Sequence, residues 1–281
     1  MPVFLILKCF MKMNNNSSVS IIRALFKKHD ITELGFIPFE TVKTNPSKSL
    51  PITSPKTLIC FLMPYKTKKN TASYISKYAA VKDYHLYARR LFSYILPELR
   101  ELFAGFSFYG SADASPIDEK DAAAKAGLGV LGKNSLLINH VYGSYVFIGT
   151  IITDLQIDCT AIEPMLCADC GRCANACPSG TIKTRDYAAC LSAISQKKKR
   201  SEEEFELLRS HDIAWGCDIC QDVCPLNNNV LHSPISFFGT DLICEPTSQL
   251  VSNMSDEEFG SRAFSWRGRA VIYENLVNID K

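Results

Sequence analysis

Seven of this chain's twelve cysteines fall in two runs, Cys167-Ala-Asp-Cys170-Gly-Arg-Cys173-Ala-Asn-Ala-Cys177-Pro178 and Cys217-Asp-Ile-Cys220-Gln-Asp-Val-Cys224-Pro225. The first has the spacing C-x2-C-x2-C-x3-C-P, in which three close thiolates wrap one [4Fe-4S] cube and the fourth crosses to a second cube. The proline after the last thiolate turns the chain out of the ligand loop. By the crossing rule Cys167, Cys170, Cys173 and Cys224 hold one cube, and Cys177, Cys217 and Cys220 belong to the other, which needs an eighth ligand. Cys190, between the runs, is the candidate, and Cys159 is its rival. Zinc is the structural alternative for C-x2-C pairs, but the tight triple ahead of a Cys-Pro is more specific to iron-sulfur clusters. Two adjacent cubes conduct electrons, and the residues ahead of them suffice for a domain holding a second redox centre or a substrate.

The elements that must position this chemistry can be read from periodicity. Ser18 to His29 carries apolar residues at Val19, Ile22, Leu25 and Phe26, one face of a helix. Thr57 to Met63 is a continuous apolar run of strand length, buried on both faces, with Cys60 packed as a small hydrophobe. Thr71 to Leu96 has helical spacing over one long helix or two, disturbed by Pro97. Ser115-Pro116 predicts a helix start and Gly127 its stop. Gly127-Leu-Gly129-Val-Leu-Gly132 matches G-x-G-x-x-G, but it follows a helix and precedes strand-like Ser135 to Ile138, the reverse of a dinucleotide-binding context. A close-packed loop against a bulky ligand or another segment is the better reading. Tyr145 to Thr153 is a second strand. Ser201 and Ser255 open helices with capping-box spacing, and Asp83-Tyr84-His85 begins like a cobalt-ligating D-x-H-x-x-G but has Ala88 in place of the glycine.

Composition narrows the class. Lys plus Arg number 31 against 29 Asp plus Glu, a net charge of +2, and 47% of residues are apolar. That balance leaves no global footprint for nucleic acid or membrane, so a basic role falls to Lys197, Lys198, Lys199 and Arg200, and to Arg262, Arg267 and Arg269. The cysteine spacing indicates a reducing cytoplasm instead of a disulfide scaffold. Residues 3 to 10 are apolar but too short to span a bilayer, and they lack the features of an export signal. Met11 or Met13 is an alternative start.

Ala112-Asp113-Ala-Ser-Pro-Ile-Asp-Glu-Lys120, Ala126 to Ile138, Tyr142-Gly-Ser144, Thr153-Asp154 and both cysteine runs, in this order, resemble the epoxyqueuosine reductase family, in a short form without the C-terminal helical-repeat domain that many members carry. It departs from the family pattern at Ser179, Leu226 and the Ala80-Val81-Lys82 lead-in to Asp83. The resemblance implies a cobalamin with no protein ligand on cobalt beside two [4Fe-4S] clusters, and reduction of epoxyqueuosine to queuosine in the tRNA anticodon loop. It implies that Asp113 is the proton donor, a carboxyl whose pKa burial against corrin would raise. Without it, Asp113 reads as a turn residue before the Ser115 helix. Gly132, Lys133, Asn134, Ser135, Leu137, Tyr142 and Ser144, with Asp113, are the implied cobalamin contacts. Lys197, Lys198, Lys199, Arg200, Arg267 and Arg269 are candidate tRNA contacts.

The expected fold is α+β: an α/β cobalamin-binding domain over 18–158, a bacterial-ferredoxin-like two-cluster domain over 159–235 and a helical segment over 236–281, after a disordered or misassigned start over 1–17. The expected protein is a cytoplasmic monomer served by an external low-potential electron donor, with no membrane contact. Two other functions fit the same residues. One is an enzyme with these cofactors and another substrate, as in reductive dehalogenases, which use a Tyr where Asp113 stands. The other is a non-catalytic electron-transfer protein.

Overall fold

The computed structural model describes residues 15–279 apart from 72 and 114; only the backbone is described for 15–17. The rest of the start expected over 1–17, including Cys9, Met11 and Met13, lies outside the described residues. The first helix among the described residues, α1 (Asn15–Lys27), begins earlier than the expected Ser18. The chain divides into two compact units. One comprises the described part of Met1–Leu62 with Ala88–Leu128 and Ile148–Pro164; the other comprises Met63–Tyr87, Gly129–Phe147 and the described part of Met165–Lys281.

The first unit is built on a four-stranded sheet in the order β1-β2-β6-β3, with β1 (Leu34–Pro38), β2 (Thr57–Pro64), β3 (Phe108–Ser111) and β6 (Val146–Thr153). β1 runs antiparallel to β2 with Leu34 opposite Phe61, and β3 antiparallel to β6 with Phe108 opposite Thr153. Every residue of β2 is buried, which is why it reads as an uninterrupted apolar run rather than an alternation. Phe26 of α1 packs on Phe61 with ring centroids 5.0 Å apart. Gly149 makes room for that ring: a Cβ there would lie 2.2 Å from it.

Two helix boundaries differ from expectation. The 71–96 region forms two helices, α2 (Lys77–Ala80) and α3 (Tyr84–Leu102), one of the two expected alternatives, but Pro97 lies inside α3 instead of disturbing its continuation. The carbonyl that Pro97 leaves without a helical donor belongs to exposed Ser93, where water can take the bond. Helix α4 (Glu119–Lys125) starts at an Asp118 cap, beyond the predicted Ser115, with the Asp118 side chain accepting from the Asp121 amide. Ser115 to Asp118 is instead drawn into extended pairing: the Asn45 amide donates to the Pro116 carbonyl and the Asp118 amide to the Lys43 carbonyl. Gly127, at φ +76°, ends α4 as expected.

The second unit contains the hairpin β4 (Val130–Leu131) and β5 (Leu137–Ile138) and the cysteine runs. Its core gathers Ala79, Ala80, Trp215, Phe259, Phe264, Ile272 and their neighbours. A smaller cluster of Leu191, Ile194, Leu208 and Ile213 supports Cys217 and Ile219. The predicted capping boxes are present at Ser201 and Ser255.

Candidate functional site

The two cysteine runs fold back on each other through short helices, α5 (Arg172–Ala176) and α9 (Ile219–Asp222), with α6 (Thr181–Thr184), α7 (Leu191–Ile194) and α8 (Glu202–Arg209) between them. This local folding gathers the thiols in two fours. Cys167, Cys170, Cys173 and Cys224 line one cavity of about 70 Å³. Cys177, Cys190, Cys217 and Cys220 line another of about 60 Å³. Cys159 is not among the lining residues; its thiol donates to the Ile157 carbonyl at 3.3 Å. Among the described residues no three His, Cys, Asp or Glu side chains converge on a single-ion site; the thiols of each four surround a volume instead of a point.

The sulfurs fit iron-sulfur clusters. In the second cradle burial pushes the Cys217 and Cys220 thiols up to about 12, so their thiolates call for coordinated cations to balance the charge. Burial acts against ionisation of Cys177 too, but the Ile182 amide, the Ser179 hydroxyl and the Thr181 and Ser179 amides outweigh it and hold that thiol below its ordinary range. A strap ahead of Cys217 is fixed from behind: Asn275 donates to the Ser195 and Ala214 carbonyls at 2.8 and 2.7 Å, and the Gly216 amide donates to Ser195 Oγ at 3.0 Å.

Asp113 belongs to the other unit, on an exposed turn after β3 with a left-handed backbone, φ +62°, a region Asp tolerates better than most residues. The turn's base is pinned by Ser111 Oγ, 3.0 Å from Thr150 Oγ1, and by Lys48, which donates to the Ser115 carbonyl at 3.2 Å. Beneath it, the Glu119 carboxyl accepts the Asp113 backbone N–H. Burial, reinforced by the charge of Asp113, raises Glu119 to about 7. Glu119 was legible only as an acidic residue in a first helical turn; its burial has no local signature. Asp121 in the same helix is ionised by contrast: burial opposes this, but Lys125 and Lys43, at 2.9 and 2.6 Å, hold it below the usual carboxylate range.

The residues of the second unit expected to contact a corrin differ in exposure. Leu137, Tyr142 and Ser144 are buried, and the Ser144 hydroxyl is engaged by Gln221 and Asn227, each at 2.8 Å. Ser144 thereby ties the hairpin to the cysteine segment. Lys133, Asn134 and Ser135 are committed to the cysteine segment: Lys133 pairs with Asp169 at 2.7 Å, Asn134 lines both cavities, and Ser135 bonds Tyr187. Gly129 and Gly132 lie against the chain itself, since a Cβ would come within 2.5 Å of the Ile138 carbonyl and 2.4 Å of Asn134 Oδ1. Gly132, Lys133, Asn134 and Ser135 stay partly exposed, so that part of the expected set is open to a ligand. His85 is held by Asp83, Nδ1 to Oδ1 at 2.7 Å.

The basic candidates also divide. The Arg200 side chain is fully buried and pairs with Glu274 at 2.6 Å, so it is a packing residue and not a phosphate contact. Lys197 pairs with Glu204, and Arg269 with Asp256 at 3.0 Å. Lys198, Lys199 and Arg267 are exposed. Arg267 stacks 3.7 Å over Trp266, which is itself exposed and donates to Gln196 at 3.2 Å beside the basic run. Among the described residues no helix is long and apolar enough to cross a membrane.

Residues 166–227 match the model of a 4Fe-4S double cluster binding domain, and the chain binds two [4Fe-4S] clusters. It is 32% identical to an epoxyqueuosine reductase of Gloeobacter violaceus over 73% of this chain and 68% of the relative. A Lactococcus garvieae epoxyqueuosine reductase is 31% identical over 76% of this chain and 63% of its own length; the chain thus spans under two thirds of that relative. The structure of epoxyqueuosine reductase from Streptococcus thermophilus superposes with a TM-score of 0.75 at 25% identity, covering 92% of this chain and 79% of that one. The fold is shared with an epoxyqueuosine reductase solved with an epoxyqueuosine-modified tRNA stem loop (TM-score 0.76, 22% identity, covering 95% and 81%). A reductive dehalogenase studied for B12-dependent dehalogenation is more distant (TM-score 0.52, 15% identity, covering 96% and 38%).

Proposed function

We propose that this chain, which belongs to the epoxyqueuosine reductase family, is an oxidoreductase that reduces epoxyqueuosine to queuosine in tRNA. The observation that carries this reading is the gathering of eight cysteines into two four-thiol cradles in a chain of that family. Cys167, Cys170, Cys173 and Cys224 ligate the first cluster; Cys177, Cys190, Cys217 and Cys220 ligate the second. The relatives' name supplies the reaction, and the relative solved with a modified stem loop supports tRNA as the partner.

Removing the epoxide oxygen as water takes two electrons and two protons, breaks both carbon–oxygen bonds and leaves a carbon–carbon double bond. The clusters carry the electrons one at a time from an external low-potential donor. Asp113 protonates the leaving oxygen. Glu119, raised to about 7, holds a further proton near neutral pH directly behind the Asp113 backbone, an arrangement suited to general acid chemistry. Cobalamin is part of the proposal on family grounds, supported by the B12-dependent neighbour, and would supply the electron-rich centre for carbon–oxygen cleavage. Lys198, Lys199 and Arg267 offer phosphate contacts, and Trp266 offers a face on which an unpaired base can stack. The site of action is the cytoplasm.

The test is nucleoside analysis of tRNA bearing epoxyqueuosine after incubation with the purified chain, reconstituted with iron, sulfide and cobalamin and reduced chemically. Queuosine is the expected product, with cobalt retained alongside iron. Persistence of epoxyqueuosine with both clusters loaded would overturn the reading, and retention of iron without cobalt would indicate an electron carrier.

A further inference from the structure

The tip of the β4–β5 hairpin forms a wall common to both cysteine cavities. Lys133 N donates to Cys167 Sγ at 3.4 Å in the first, and Asn134 Nδ2 donates to Cys220 Sγ at 3.7 Å in the second. The turn is tightly specified. The Gly132 amide donates to the Leu136 carbonyl at 2.8 Å and the Ser135 amide to the Gly132 carbonyl at 2.9 Å, with Ser135 at φ +64°. Gly132 carries no side chain where a Cβ would strike Asn134 Oδ1. That oxygen accepts the Leu136 amide at 3.4 Å, which fixes the orientation of the amide and turns its N–H toward sulfur. The tip is gripped from both sides, by the Lys133–Asp169 ion pair and by Arg185, which donates to the Lys133 carbonyl at 3.2 Å and to the Tyr187 hydroxyl at 3.0 Å.

We propose that Asn134 is a positioning residue for electron transfer: its side-chain N–H to Cys220 sets the reduction potential of the second cluster, as the Lys133 amide to Cys167 does for the first. The proposal rests on the two-cluster reading. Reducing a [4Fe-4S] cluster adds one electron whose charge is shared by the ligating sulfurs, so an N–H directed at a sulfur stabilises the reduced state and raises the potential. The effect is stronger in a half-buried cradle than in water. One turn thereby poises both clusters. The alternative role, a brace for the turn, uses the oxygen of Asn134 and not its N–H, and the two are separable.

The experiment is an EPR-monitored redox titration of the reconstituted chain, with no turnover required, comparing Asn134→Asp and Asn134→Ala with the wild type. Asp keeps the oxygen that braces the turn and removes the donor. The second cluster's signal is identified as the one missing in Cys190→Ala. Asn134→Ala is expected to make reduction of the second cluster about tenfold less favourable, a one-electron shift of about 59 mV to lower potential, and to leave the first cluster unchanged; Asn134→Asp, whose added charge also lowers the potential, is expected to shift the second cluster at least as far and more than the first. An unshifted second cluster in Asn134→Asp would overturn the proposal. So would equal shifts in both clusters, or selective loss of the second cluster from both variants, which would assign Asn134 to the turn's structure or to assembly. Wild-type protein that holds no clusters would overturn the two-cluster reading instead.

Discussion

The cysteine cradles and the Asp113 turn meet opposite physical demands. The cradles are half-buried, backed by a hydrophobic core, and bristle with amides directed at sulfur. Asp113 stands exposed on a left-handed turn, with one half-buried carboxyl behind it. Electron transfer needs fixed, dry sites whose charge is balanced by nearby dipoles. Proton delivery needs a carboxyl that can reach the substrate and a neighbour that holds protons at working pH. The two regions should therefore fail differently when altered.

The largest expected effect is in a cradle. Cys220→Ala should lower bound iron from about eight to about four per chain and lower the melting temperature, because Cys217 and Ile219 in the same loop pack on the core beneath. Cys159→Ala should leave the iron content unchanged. Iron and sulfide assays read both, and a fall in Cys159→Ala would reverse the choice of eighth ligand.

A smaller effect, sensitive to pH, belongs to Glu119. Its pKa of about 7 in the folded chain lies above the 4.5 of an ordinary glutamate. The fold thus favours the protonated form: this stability is fully present below pH 4.5 and is lost as pH rises through 7. Glu119→Gln should abolish that pH dependence, worth up to about 3 kcal/mol, in urea melts between pH 5 and 8. Retention of the wild-type slope would show that Glu119 is not the titrating group.

Much of the cradle chemistry was legible because a ligand spacing is a local property of the chain: Cys167 to Pro178 can wrap a cube whatever the rest does. The crossing rule placed Cys177 with Cys217 and Cys220, whereas Cys190 followed only from its position between the runs, and folding brings it, not Cys159, to their cavity. Buried strands and capping boxes were legible for the same reason. The start of α4 was not, since the Ser115-Pro116 signal was overridden by pairing with Lys43 and Asn45, residues distant in sequence. The Gly127–Gly132 loop was readable as close-packed, but its partner was not, because only folding brings Asn134 and Ile138 against those glycines. The packing role of Arg200 was not legible either, because sequence cannot register its pairing with Glu274, distant along the chain.

The weakest expected effects lie on the surface. If phosphate contacts come from the exposed cations, Lys198→Ala and Lys199→Ala should each reduce the salt slope of tRNA binding by about 1 without altering the cluster spectra. Arg200→Ala should instead lower the melting temperature and leave that slope intact. Filter binding across a salt series distinguishes them.

The most direct test compares single-turnover conversion of epoxyqueuosine in tRNA by the wild-type chain and Asp113→Asn, at matched iron and cobalt content. The account predicts that Asp113→Asn slows queuosine formation by about 10²- to 10⁴-fold while the cluster absorbance is unchanged. Queuosine formation at the wild-type rate by Asp113→Asn would contradict it.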